Sequence, residues 1–188
     1  EAQTSDSTVP PPTEPVRLGD AFAGLEKPCV ARLHAPVYAG GLLLVGGCTH
    51  VLAADTATFS LPEVKRGIFP FQVMASLLPL MPARALLDWC IRARTLSATE
   101  AQALGLVTEV MPAHALDQAV ATLVDDILQY SPTAIQLGLR AYRAVQQLAP
   151  DQQHAYLYQL LQQALQTDDA AEGLAAFAQK RPPAWTGS

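Results

Sequence analysis

Charge is scarce in this chain: Asp, Glu, Lys and Arg supply only 15% of its 188 residues, and the balance is acidic, with a formal net charge of -5. A weakly charged, acidic chain is poorly suited to a polyanion, which excludes nucleic acid as the main partner. Cysteine is rarer still. Cys29, Cys48 and Cys90 are scattered and odd in number, so they build no disulfide framework, and no Cys/His cluster has metal-ligand spacing. No metal is expected, and a reducing, cytoplasmic setting is. No apolar run approaches the roughly 20 residues that a membrane helix needs. No basic-then-apolar leader opens the chain. No internal repeat and no second domain are visible.

What the chain has in quantity is hydrophobic residues, half of the total, enough for one domain with a sizeable core. Residues 1–15, EAQTSDSTVPPPTEP, read as a flexible Pro-rich arm. The first residue is Glu1 with no Met, which suggests a start inside a longer chain. Residues 16–26 are expected to form a short helix, stopped by Lys27-Pro28. CVARL, from Cys29 to Leu33, reads as a buried strand. Leu42 to Val45 begins either a helix or a strand, because periodicity does not decide over so few residues. Gly46-Gly47 separates it from the apolar Val51 to Ala54. Thr58-Phe59-Ser60 is a strand and Leu61-Pro62-Glu63 a turn.

The pattern turns helical at FQVMASLLPLM, which Pro79 ends or kinks. Arg84 to Arg94 makes a second helix. Ser97 and Glu100 form an S-x-x-E capping box that opens a third, closed at Gly105. LVTEVMP is a strand ending at Pro112. Beyond it, Leu116 to Tyr130 is amphipathic, with Leu116, Val120, Leu123, Val124, Ile127 and Leu128 on one face. Ser131-Pro132 is an N-cap followed by Pro at the first helical position. That helix runs to about Leu148, and Asp151 to Gln166 and Ala170 to Gln179 follow.

Several segments, in order, resemble the crotonase family, also called the enoyl-CoA hydratase/isomerase family. Lys27-Pro28-Cys29-Val30-Ala31 resembles its K-P-V-I-A strand, and Ala39-Gly40-Gly41 its oxyanion glycines. Ala54-Asp55-Thr56-Ala57-Thr58-Phe59, then Pro62 to Pro70, resembles A-D-x-A-x-F…P-E-x-x-x-G-x-x-P. Leu96 to Ala101 with Leu104 to Val107 resembles the segment after the active site. Glu172, Gly173, Phe177, Lys180 and Arg181 match the E-G-x-x-A-F-x-x-K-R-x-P tail. The resemblance covers roughly residues 22–187. It implies an α/β fold: residues 16–112 are the C-terminal portion of a ββα spiral core, and 113–188 are helices that build a homotrimer or a dimer of trimers. Family members also carry earlier ββα turns, one of which supplies the second oxyanion N–H.

The implied chemistry starts from an acyl-CoA thioester, with coenzyme A as part of the substrate and no separate cofactor. Its carbonyl oxygen gains charge as an enolate forms, and preorganised N–H donors hold that charge. By resemblance Gly40 is one donor, and Gly41 lines the same place. The plainer reading is that the pair only eases a turn. Glu63 matches the family's acid/base carboxylate. A carboxylate among apolar neighbours is suited to taking and returning a proton, and Phe59, Leu61, Ile68 and Phe69 are the expected neighbours. A solvated turn residue is the alternative.

The family's hydratases place a second Glu twenty residues before this one, where the chain has Leu43. That departure favours a one-base reaction such as double-bond isomerisation, with Leu43 as a pocket wall. Phe71 and Met74, after Pro70, stand where the family has a small, Gly-rich run, so they either reshape the acyl pocket or pack in the core; Phe69, before it, is expected with Phe71 at the substrate. Phe177 and Lys180, at i and i+3, match residues that reach CoA, often from a neighbouring subunit. An ordinary helix end is the other reading. A catalytically impaired, acyl-CoA-binding or structural paralogue is the rival function.

Overall fold

A computed structural model of the chain describes residues 18–188, so the Pro-rich arm expected at 1–15 lies outside the described residues. Two small sheets form the centre. In the first, β1 (Val30–Leu33), β3 (His50–Ala54) and β6 (Glu109–Met111) run parallel in the order β1-β3-β6. In the second, β4 (Thr58–Ser60) lies parallel to β2 (Val37–Tyr38) and antiparallel to β5 (Thr95–Ser97). Parallel neighbours cannot be joined by a hairpin and need a crossover. Here the crossover between β1 and β3 is β2 followed by α2 (Gly41–Gly47). Each of the first two turns of chain, opening at β1 and at β3, thus adds one strand to each sheet and then helix.

The ambiguous stretch from Leu42 to Val45 is helical. Leu42 and Val45, one turn apart, are both buried in the main core. Gly46-Gly47 is the last turn of that helix and not a break between strands. A methyl group at Gly47 would sit 2.2 Å from the Phe22 Cβ, so glycine is what lets α1 (Leu18–Ala23) lie against α2. The same core takes in Phe59 and Leu61, then Leu77 from α3 (Phe71–Leu77), and Leu86 and Trp89 from α4 (Ala83–Arg92). Helix α3 stops two residues before Pro79, as a proline requires. Helix α4 ends at Ala93, whose φ of 49° is left-handed, and the Trp89 indole N–H donates to the Arg94 carbonyl at 2.9 Å.

The capping box forms as its sequence implies. Ser97 Oγ accepts from the Glu100 N–H at 3.2 Å and Glu100 Oε2 accepts from the Ser97 N–H at 2.8 Å, opening α5 (Ala98–Ala103). LVTEVMP is a strand only over Glu109–Met111; Leu106 and Val107 are buried without joining the ladder. In α6 (Leu116–Leu128), Leu116, Val120 and Leu123 pack on Leu52 and Ala54 of β3. Leu128, expected on the same face, is 71% exposed, because the helix outruns the short strands beneath it. Helices α7 (Pro132–Val145), α8 (Pro150–Ala164) and α9 (Asp168–Gln179) complete the chain. Ser131 caps α7 by accepting from the Ala134 N–H at 3.0 Å. Helix α9 begins two residues earlier than expected, capped by Thr167.

Gly47→Ala forces a backbone-level clash with Phe22 and is expected to destabilise the protein by about 1–3 kcal/mol in urea unfolding. A loss below about 0.5 kcal/mol would show that α1 is not wedged against α2.

Candidate functional site

The parallel pairing of β2 with β4 sets Val37 beside Phe59 and Tyr38 beside Ser60. The two strands therefore end level with each other. Gly40 follows the end of β2 by two residues and Glu63 the end of β4 by three. One further hydrogen bond extends the pairing, from the Ala39 N–H to the Ser60 carbonyl at 3.0 Å. Ala39 pays for it with a φ of 49°, a left-handed conformation that costs an L-residue about 1–2 kcal/mol. That turn aims the next peptide outward. A methyl group on Gly40 would meet nothing within 4 Å, so the space above it is open, whereas one on Gly41 would lie 3.2 Å from the Val37 side chain. Among the described residues neither the Gly40 nor the Gly41 N–H has an acceptor.

Glu63 opens a 3-10 turn (Glu63–Arg66) rather than sitting in a simple loop. Gly67, at φ 75°, closes that turn and its N–H donates to the Val64 carbonyl at 3.2 Å. Phe59 and Leu61 below it are fully buried, and Phe69 packs against the core with its ring centroid 5.2 Å from that of Phe71. Ile68 does not join this wall; it is 61% exposed, and Phe71 is exposed as well. The Glu63 Oε2 atom is buried and has no hydrogen-bond partner. Cys90 on α4 lies within its field: burial, and after it the Glu63 charge, push the Cys90 thiol up. A buried carboxylate oxygen without a donor is uncommon in folded proteins.

Leu43 lies on α2, three residues beyond Gly40. It lines a cavity of about 760 Å³ with Gly46, Cys48, Gln72, Leu139 and Tyr142, and Glu63 and Gly40 take no part in it. A cavity of about 620 Å³ between the start of β1, α6, α7 and Trp185 does not include them either.

Phe177 and Lys180 are also set apart from Glu63, on α9, which packs against α7. Phe177 is 86% exposed. Lys180 is not on a helical face with it: at φ 53° it is the left-handed residue that ends the helix. The neighbouring tail residues are structural. Glu172 accepts from Arg181 Nη2 at 2.8 Å and from the Ala184 N–H at 2.7 Å. The Arg181 hydrogen bond, followed by that of Ala184, holds the Glu172 carboxyl down to about 2. The sequence offers no sign of Asp169, which precedes the helix expected from Ala170. It is buried, and burial alone would push its carboxyl up. Hydrogen bonds from Ser131 Oγ at 2.7 Å, the Thr186 N–H at 2.8 Å and the Gly187 N–H at 3.1 Å outweigh burial and hold it well below the usual range.

Strand–strand–helix turns that feed two sheets, with a free glycine N–H and a half-buried carboxylate beyond the ends of neighbouring parallel strands, define a ββα-spiral α/β protein. Residues 15–188 match the sequence profile described as enoyl-CoA hydratase/isomerase, and the chain belongs to that family, within the crotonase superfamily. It is 31% identical over 177 residues to the carnitinyl-CoA dehydratase of Citrobacter koseri, covering 88% of this chain and 68% of that protein. The Salmonella typhi protein of the same name is 30% identical over the same coverage. Among solved structures, the enoyl-CoA hydratase of Mycobacterium smegmatis superposes with a TM-score of 0.85 at 26% identity, covering 89% of this chain and 65% of that one. That of Bacillus anthracis gives 0.85 at 27%, covering 90% and 66%. The chain thus spans about two thirds of the length of these relatives. Among the described residues no helix is long and apolar enough to cross a membrane.

A carboxylate whose folded value lies below its unfolded one stabilises fully above the unfolded value and loses that stabilisation as pH falls through the folded one. For Glu172 the window runs from 4.5 down to about 2. Across it, the urea midpoint of the protein is expected to fall more steeply with acid than that of Glu172→Gln. Equal slopes would mean that Glu172 does not fasten the tail.

Proposed function

We propose that the protein converts acyl-CoA thioesters through an enolate, with the Gly40 N–H as an oxyanion donor and Glu63 as the group that moves the proton. The observation that carries this reading is the buried, unpartnered Glu63 Oε2. It stands beyond the end of β4, beside the strand whose end presents Gly40. The family match and the names of the relatives, dehydratases and hydratases of CoA thioesters, support the substrate class. With Leu43 at the place of a second Glu, one carboxylate both takes and returns the proton, so double-bond isomerisation or another one-base reaction is favoured over hydration by two carboxylates. Gly41, Phe69 and Phe71 border the acyl group in this reading, and coenzyme A enters only as part of the substrate.

The helices of residues 113–188 assemble a homotrimer or a dimer of trimers, working in the cytoplasm. The exposed Leu157 and Leu161 on α8, with Leu165 at its C-cap, are spaced four apart and suit such a contact. Phe177 and Lys180, exposed and away from their own Glu63, then reach a neighbour's CoA.

A second reading, a subunit that binds acyl-CoA without turning it over, draws on one observation: neither cavity described above is lined by Gly40 or Glu63. Glu63→Gln separates the two. An enzyme loses about 10²–10⁴-fold in turnover while keeping its CoA affinity; unchanged turnover would remove Glu63 from the chemistry. Lys180→Ala is expected to weaken CoA binding several-fold with the melting temperature unchanged, and equal affinity in calorimetry would take Lys180 out of the site.

A further inference from the structure

Cys29 and Cys48 meet with their Sγ atoms 3.6 Å apart, both as free thiols and both half-buried. Their approach is fixed by backbone. Cys29 immediately precedes β1, and Thr49 precedes β3, its parallel partner. Four hydrogen bonds lock the two segments. The Cys29 N–H donates to Thr49 Oγ1 at 2.9 Å. The Cys29 carbonyl accepts from the Thr49 N–H at 2.9 Å, from Thr49 Oγ1 at 2.9 Å and from the His50 N–H at 3.2 Å. Cys48, the residue that ends α2, is therefore held opposite Cys29 by the sheet itself. A disulfide needs its sulfurs at about 2.05 Å, a closure of about 1.5 Å from where they stand. Cys29 and Cys48 are both partly exposed, and Cys48 with Thr49 lines the cavity of about 760 Å³, so a small oxidant can reach the pair.

We infer that Cys29 and Cys48 form an oxidation site, a dithiol that a low-molecular-weight disulfide converts to an intramolecular cystine. The order of events follows from the surroundings. Burial, and then the hydrogen bond and charge of Cys29, push the Cys48 thiol up to about 12, and its proton is further engaged with the Leu44 carbonyl at 3.2 Å. With the Cys48 proton held in this way, Cys29 is the sulfur that reacts first. Its thiolate attacks one sulfur of the oxidant, the oxidant's S–S bond breaks and one thiolate leaves. Cys48 then gives up its proton to solvent and attacks Cys29 Sγ, expelling the second thiolate. The two cysteines lose two electrons, and the oxidant is reduced to two thiols.

The ring that closes contains β1, β2, Gly40, Gly41 and α2, so the segment that presents the Gly40 N–H is stapled at its far end. In a reducing compartment such a bond is transient, which suits a reporter of oxidation better than a permanent staple. Cys90, fully buried on α4, is the internal control.

The test uses the folded protein, glutathione disulfide, alkylation and mass spectrometry. The oxidised protein is expected to be about 2 Da lighter than the reduced one, the mass of two thiol hydrogens, with one cross-linked peptide pair joining Cys29 and Cys48. Cys48→Ser is expected to stop at one glutathione on Cys29. Free alkylation of both residues after oxidation, an adduct on Cys29 of the unmutated protein that never resolves, or a bond that involves Cys90 or a second molecule would each overturn the assignment.

Discussion

Val37 and Tyr38 lie parallel to Phe59 and Ser60, and the proposed site hangs from that two-rung ladder. A slip of one residue would turn Phe59 out of the core, where it is fully buried, so the register is pinned by packing. With the register pinned, the two chain ends that leave the ladder are pinned too. One carries Gly40 and the other Glu63. The bond from Ala39 to Ser60 adds a third rung, and its strain is tolerated because Leu42 and Val45, just beyond, anchor α2 in the core. Apolar packing, through register, thus sets the separation between an amide donor and a carboxylate.

Much of this was legible in the sequence, for stated reasons. Pro62, Glu63 and Gly67 carry a turn geometry that few other residues allow, and the capping residues Ser97, Glu100 and Ser131 act locally, so they read correctly without knowledge of the fold. The short segment at Leu42 did not, because four apolar residues fit either period and only packing against Leu77 and Phe59 decides. Helix α6 was read as apolar for longer than the sheet below it extends. The placements of Leu43 and Lys180 depend on where a helix points and where it ends, which are tertiary facts.

The C-terminal tail shows how one motif divides between two uses. Glu172 and Arg181 fasten the tail to α9, so the acid of the tail motif is spent on structure, as is Asp169, which gathers donors from Ser131, Thr186 and Gly187. Phe177 and Lys180, beside them, make no such bonds through their side chains among the described residues and stand exposed. At the other end of the core, the contact between Cys29 and Cys48 sets the far end of α2 beside the start of β1. The same short helix therefore links the open N–H at its start to a thiol at its finish.

The most direct measurement is the amide proton shift of Gly40 in protein labelled with ¹⁵N-glycine, on addition of acetoacetyl-CoA, whose enolate carries the charge in question. A downfield shift at Gly40, with Gly138 and Gly187 unmoved, is the result expected of an amide that holds a thioester oxygen. Saturable binding that leaves Gly40 in place would contradict the pairing of Gly40 with Glu63 as one site.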